Sequence, residues 1–301
     1  AHLTRWDDND LQANWLPTLK AWEAKSLAAE DCEFNQWLEL FSNVKAAYQA
    51  APSPMLKLVN DYAGSSDTIR VDDWDFSPND IHLVGIRRRP DTATHKFDDV
   101  LTLMIKGLCF KFQGSTDPGH TSNKKGAPFL VQGQHHFRFG LHRRSYHALR
   151  PESYLKPGQG VLVVRSKGDF RLTDDDLERG LEANGTINIH WGGKGVGRAV
   201  NRWSEGCQII AGSAYASHEN KIIDCSSYVA INNGEVKDKA KKKTRGAYNV
   251  LTDIIGAFSS DMHPADRVKY MLLLDEDLDL HDGVKSVMKE AREGARRLFG
   301  L

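Results

Sequence analysis

The sequence predicts an α+β protein, with a mainly antiparallel β-domain at residues 77–235 between a helical N-terminal segment, 1–76, and a helical C-terminal segment, 236–301. Three observations lead there. Apolar side chains recur at helical spacing in 34–48 and again from 248 to 295. From residue 81 the apolar runs become short, rich in Val, Ile, Leu and Phe, and are separated by Gly, Pro and Asp. At 301 residues the chain suffices for one large domain or two modest ones.

Taken in order, Trp15, Leu19 and Trp22 fall on one helical face, and Phe34, Trp37, Leu38, Phe41, Val44 and Tyr48 on another that follows an acidic start. Such an aromatic stripe is ordinarily core or a docking face; the functional alternative is a glycan groove. Pro52 and Pro54 end the helix, because proline lacks the amide donor and restricts the residue before it. Residues 61–80, with Asp72, Asp73 and Asp75, read as a polar connection whose acids lack the glycine and terminal glutamate of a calcium loop.

The candidate strands are 81–86, 100–105, 109–112, 128–131, 135–142, 161–164, 187–189, 208–211, 222–224 and 228–231. Asp117-Pro118-Gly119 is a turn, with φ fixed at proline and freed at glycine. In 135–142, Phe137, Phe139 and Leu141 alternate with His136, Arg138 and His142. Histidines gather between His135 and His147, but with no zinc-site spacing and no HExxH, so no metal and no cofactor is expected. A short helix is expected at 174–183. In the C-terminal segment Val250, Leu251, Ile254, Ile255 and Phe258 share one helical face, and Val284, Val287, Met288, Ala291 and Ala295 another.

Composition narrows the function. Forty basic residues balance forty acidic ones, and the basic run 236–245 has no interleaved aromatics, so no nucleic-acid partner is expected. No run approaches the ~18 apolar residues of a membrane helix, so no membrane partner is expected. The first residues, AHLTRWDDND, lack the apolar core of a secretory signal. A removed signal, another export route and a longer parent chain are the three explanations. Of the four cysteines, Cys32, Cys109 and Cys225 read as ordinary thiols, with pairing of Cys225 in an oxidising compartment as the alternative.

Cys207 is different. The stretch 187–212, INIHWGGKGVGRAVNRWSEGCQIIAG, delivers His190 from one β-like run and Cys207 into the next, with a glycine-rich loop between them. Those glycines let the backbone fold back and bring imidazole and thiol together, the arrangement that lowers a thiol pKa and makes a nucleophile. In this reading Cys207 attacks a carbonyl, His190 is the base, and the backbone N–H groups of Gly206 and Cys207 receive the oxyanion. Ser204 orients the loop or bonds the histidine. Trp191 and Trp203 wall the cleft, Arg198 and Arg202 grip a substrate carboxylate, and Glu205 sits beside the thiol. His142 or Arg143 lines the cleft from the alternating run. The loop around Gly193 and Gly197 also suggests a phosphate cradle, but no Gly-Lys-Ser/Thr follows.

His190, thirteen residues, then Ser204-Glu205-Gly206-Cys207 resembles the active-site signature of the L,D-transpeptidase catalytic-domain family. The family usually has a second histidine where this chain has Glu205. Residues 114–119 (GSTDPG) and 139–142 (FGLH) are similar to features of a phage- and effector-associated branch. The resemblance implies an L,D-transpeptidase type of β-domain and a thioacyl-enzyme formed on peptidoglycan stem peptides, leading to transpeptidation or L,D-carboxypeptidase hydrolysis. It further implies a secreted or periplasmic site of action, and an antibacterial effector toxin or phage-associated wall enzyme with delivery machinery or an immunity protein as partners. The alternatives are a peptidoglycan hydrolase of another class, muramidase or zinc peptidase, and a non-catalytic cell-wall-binding module.

Overall fold

The structure is a computed structural model that describes residues 32–88, 96–121, 123–143, 145–166, 170, 172–193, 199–228, 244–257 and 267–299. Among the described residues, twelve strands form two sheets. The larger contains β1 (His82–Arg87), β2 (Asp99–Ile105), β3 (Leu108–Ser115), β5 (Gly133–His142), β6 (Tyr146–Pro151), β9 (Ile189–Trp191), β10 (Gln208–Ala216), β11 (Ile222–Asp224) and β12 (Val268–Leu274). Its order is β11-β10-β3-β2-β1-β12-β5-β6-β9, and a further pairing of β9 with β10 closes it into a barrel that leaves β11 outside the ring. The smaller sheet is β4 (Pro128–Leu130), β7 (Val161–Arg165) and β8 (Glu182–Asn184), in the order β4-β7-β8.

The helices follow from local chemistry. Helix α1 (Glu33–Ala50) buries Phe34, Trp37, Leu40, Phe41 and Val44 and ends before Pro52. Helix α2 (Pro54–Tyr62) starts with proline in its first turn, and its Ser53 cap accepts from the N–H of Leu56 at 3.3 Å. Helix α3 (Asp174–Leu177) is a single turn with a Thr173–Asp176 capping box. Helix α4 (Ala247–Ala257) is buried along its whole length. Helix α5 (Asp282–Phe299) is amphipathic and turns Val284 and Met288 inward.

Strand periodicity divides the core. Leu83, Leu101, Leu103, Phe110, Phe112, Phe137, Ile210 and Leu272 pack with α4. Val84, Ile86, Met104, Met271 and Leu273, from the other face, pack with α1, α2, α5 and the small sheet. Both faces are therefore covered, which explains the uninterrupted apolar runs in β1, β2 and β12.

The α+β class and the helices flanking the sheet agree with the sequence. The sheet is mixed: β1 runs parallel to β12 and β9 parallel to β10, while the other pairings are antiparallel. Segment 236–301 is not simply helical, because it supplies β12, inserted between β1 and β5. The expected helix at 174–183 stops at Leu177, and β8 follows. Strands β6, β8 and β12 were not expected. Trp15, Leu19, Trp22, Phe258, residues 229–231 and most of the basic run lie outside the described residues. All four cysteines are free thiols. The histidines of 135–147 diverge: His135 is buried between Thr68 and the Val131 carbonyl, His136 pairs with Glu152, and His142 joins the site below.

Because α4 has no solvent-facing side, Ile254→Ala should leave a cavity and lower unfolding free energy by about 2–5 kcal/mol. Glu290→Ala, on an exposed position of α5, should stay within about 0.5 kcal/mol. Urea denaturation followed by circular dichroism measures both.

Candidate active site

The site is built where the barrel closes. Strand β9 lies parallel to the start of β10, with Ile189 opposite Gln208, His190 opposite Ile209, and Trp191 opposite Ile210. A parallel pair needs a crossover, and residues 192–207 make it. Gly192 passes so close to β10 that a Cβ there would lie 2.1 Å from Ile209 Cγ2. At the other end Gly206 has φ +120°, and a Cβ would meet the Pro128 carbonyl at 2.4 Å. Ser204 holds this turn. Its hydroxyl accepts from the Gly206 N–H at 3.1 Å and donates to the Cys207 carbonyl at 2.8 Å. Its own carbonyl accepts from the N–H groups of Gly119 and His120, both at 3.0 Å, so the Asp117-Pro118-Gly119 turn docks under the loop.

Of the two roles open to Ser204 the first is the one seen, and one expectation, for Gly206, changes. Ser204 orients the loop and does not bond His190. The Gly206 N–H, expected as an oxyanion donor, is already engaged by Ser204 Oγ.

Cys207 lies at the mouth of β10, half-buried over a small cluster of Phe97, Val200, Ile209 and Ala211. Its Sγ accepts from the Asn188 N–H at 3.4 Å and donates to the Thr186 carbonyl at 3.7 Å. Burial pushes the thiol up to about 11; the Asn188 N–H, Arg143 and Arg150 pull it down, and Glu205 pushes it further up. Glu205 therefore opposes the thiolate. His190 is buried too, and burial takes it down to about 4 against the opposing pull of backbone bonds to Trp191 and Trp203. The expected lowering of the Cys207 pKa by a directly bonded imidazole is thus absent. Desolvation outweighs the favourable contacts, and a neutral thiol sits near a neutral ring.

The His190 surroundings are specific. Nδ1 is 2.9 Å from the Trp191 carbonyl and 3.2 Å from the Tyr146 hydroxyl. The His142 ring stacks on it, centroids 4.3 Å apart, and Asn188 Nδ2 meets His142 Nδ1 at 3.1 Å. Asn188 consequently touches the sulfur through its backbone and the second histidine through its side chain. A neutral imidazole has one N–H and can serve one carbonyl, whereas imidazolium can serve both Trp191 and Trp203. Burial and the Arg143 charge outweigh that gain, so the ring rests neutral.

These groups line a cleft of about 910 Å³. His142, His190, Trp191, Arg202, Trp203, Glu205 and Cys207 are all on its wall. Ser204 and Gly206 lie behind it, as supports for the turn. Arg198 lies outside the described residues. Trp191 and Trp203 meet edge to face at 5.8 Å, and Trp203 is 40 % exposed. Among the described residues no three His, Cys, Asp or Glu side chains gather as a metal site.

Sequence reading missed Tyr146, Asn188 and Arg150. Tyr146 hides in an alternating strand, and burial holds its phenol well above the ordinary range. Asn188 is one polar residue inside an apolar run, the only sequence signal that could have marked it. Arg150 stacks its guanidinium 3.9 Å from the Tyr154 ring centroid and has no motif.

In comparisons with known proteins, no family model matches the chain, no curated protein matches it, and no solved structure matches its fold.

With a thiol near 11, alkylation of Cys207 by iodoacetamide should rise about tenfold per pH unit from pH 6 to pH 10, without the neutral plateau of a pre-formed ion pair. Stopped-time mass spectrometry checks this. Gly206→Ala should strain the turn against Pro128 and cost about 1–3 kcal/mol, read as a lower urea midpoint.

Proposed function

We propose that this chain is a cysteine-dependent enzyme of peptidoglycan stem peptides, of the L,D-transpeptidase type, working as a transpeptidase or as an L,D-carboxypeptidase. The observation that carries the reading is the position of Cys207, on the turn that the resemblance singled out: it lines a large cationic cleft whose wall also holds the stacked pair His142 and His190, with Asn188 bonded to the sulfur through its N–H and to His142 through its side chain. The mixed sheet with flanking helices bears on the α+β class alone. Substrate binding turns the thiol from the Thr186 carbonyl toward the histidines. Sγ then bonds to the carbonyl carbon of the stem peptide while its proton passes to His190. The imidazolium, held by the Trp191 and Trp203 carbonyls, gives that proton to the departing amine as the amide C–N bond breaks. A second amine attacking the thioester yields a cross-link, and water yields a shortened stem.

The cleft argues against a muramidase. A glycosidase needs two carboxylates across the scissile bond, and Glu205 is the one acid among the described lining residues. A wall substrate places the site of action outside the cytoplasm, in the periplasm or after secretion. Delivery machinery and an immunity protein are the corresponding partners. One observation favours a non-catalytic wall-binding module: burial raises the Cys207 thiol, and among the described residues its hydrogen bonds go to the Thr186 carbonyl and the Asn188 N–H and not to an imidazole.

Intact-protein mass spectrometry after incubation with a stem tetrapeptide or a carbapenem decides between them. The catalytic reading expects an acyl adduct on Cys207, lost in Cys207→Ser, and at least a hundredfold loss of turnover in Cys207→Ala. A binding module expects no adduct and an unchanged phenotype in Cys207→Ala.

A further inference from the structure

The cleft lining contains four arginines, Arg143, Arg150, Arg165 and Arg202, against a single acid among the described residues, Glu205. Two of the four have structural employment. Arg165 forms an ion pair with Glu182 at 2.6 Å. Arg150 donates to the Leu141 and Gly185 carbonyls and stacks on Tyr154. Arg143 and Arg202 are exposed in the cleft, and among the described residues neither has a carboxylate partner. They come from separate elements, Arg143 from the β5–β6 connection and Arg202 from the turn Asn201–Trp203.

Arg143 is further distinguished by its backbone. It holds φ +47°, in the left-handed region that the β5–β6 hairpin turn uses. Its charge reaches Cys207, His190 and Tyr146 alike. A guanidinium there disfavours a protonated His190 until something neutralises it. A substrate carboxylate is the group that both pairs with the arginine and removes that penalty.

We infer that Arg143, seconded by Arg202, selects substrates with a free carboxylate on the residue that donates the acyl group, and that amidated stems are poor substrates. This rests on the proposed reaction at Cys207 but concerns a different group of the substrate. Arg143 acts as a bidentate carboxylate clamp. Because the bound anion also lets His190 accept the thiol proton, the free acid gains in chemistry as well as in binding.

The test uses two stem tetrapeptides that differ only in the third residue, one with a free side-chain carboxylate and one with the corresponding amide. Arg143→Asn removes the charge while tolerating the left-handed backbone; Arg202→Gln is the second variant. In the wild type, kcat/KM for acylation of Cys207 should be at least tenfold higher for the acid. Arg143→Asn should lose about tenfold to hundredfold on the acid and change little on the amide, and Arg202→Gln should lose less. Calorimetric binding of both peptides to Cys207→Ala reads the same preference without chemistry. Equal handling of acid and amide by the wild type, or equal loss on both in Arg143→Asn, overturns the inference. A preference for binding the acid with no acylation at all would instead retain the clamp and remove the proposed reaction.

Discussion

One backbone pairing governs the candidate site: the parallel contact of β9 with the first residues of β10. It closes the barrel, and by fixing His190 opposite Ile209 it sets the histidine level with a residue two positions beyond Cys207. A slip of one residue would turn His190 to the opposite face. The crossover that joins the two strands is held from below by Ser204 and by the docked Asp117-Pro118-Gly119 turn. Gln208, next to the thiol, continues the support: its side chain donates to the Thr116 carbonyl and accepts from the Tyr270 hydroxyl, tying the strand mouth to β12.

The electrostatics of the cleft follow from how deep these groups sit. Burial outweighs every favourable contact at both Cys207 and His190, so each is held in its neutral form. This is a resting state in which the thiol is shielded from adventitious oxidants and alkylators, which react with thiolate. Charge enters the cleft through the arginines, and they lie at its walls, where water and ligand can both reach them.

Much of the fold could be read from the sequence, for identifiable reasons. β1, β2, β3, β7 and the first half of β10 are apolar runs bounded by strong turn residues, β5 alternates apolar with polar side chains, and the α1 stripe at helical spacing is unambiguous. β12 escaped because VKYMLLL is apolar on both faces, and a short continuous run has no period to separate strand from helix. Helix α4 was legible as a helix, but its total burial was not. Its polar residues Asn249 and Asp253 find partners in Thr244 and Tyr228, which no local pattern announces. At the site, His190 and Cys207 were readable because one loop carries both. Tyr146 and Arg150 were not, because packing of the β5–β6 hairpin against β9 is what brings them there, and Asn188 was not, because its bonds to the thiol and to His142 depend on that same packing.

The insertion of β12 between β1 and β5 has a consequence for biogenesis. Until residue 274 has left the ribosome, β1 and β5 each keep an unpaired edge, and the nascent chain carries an open sheet with two templates for mispairing. Ring closure is therefore a late event that joins segments far apart along the polypeptide, a topology associated with slow folding and transient exposure of sticky edges.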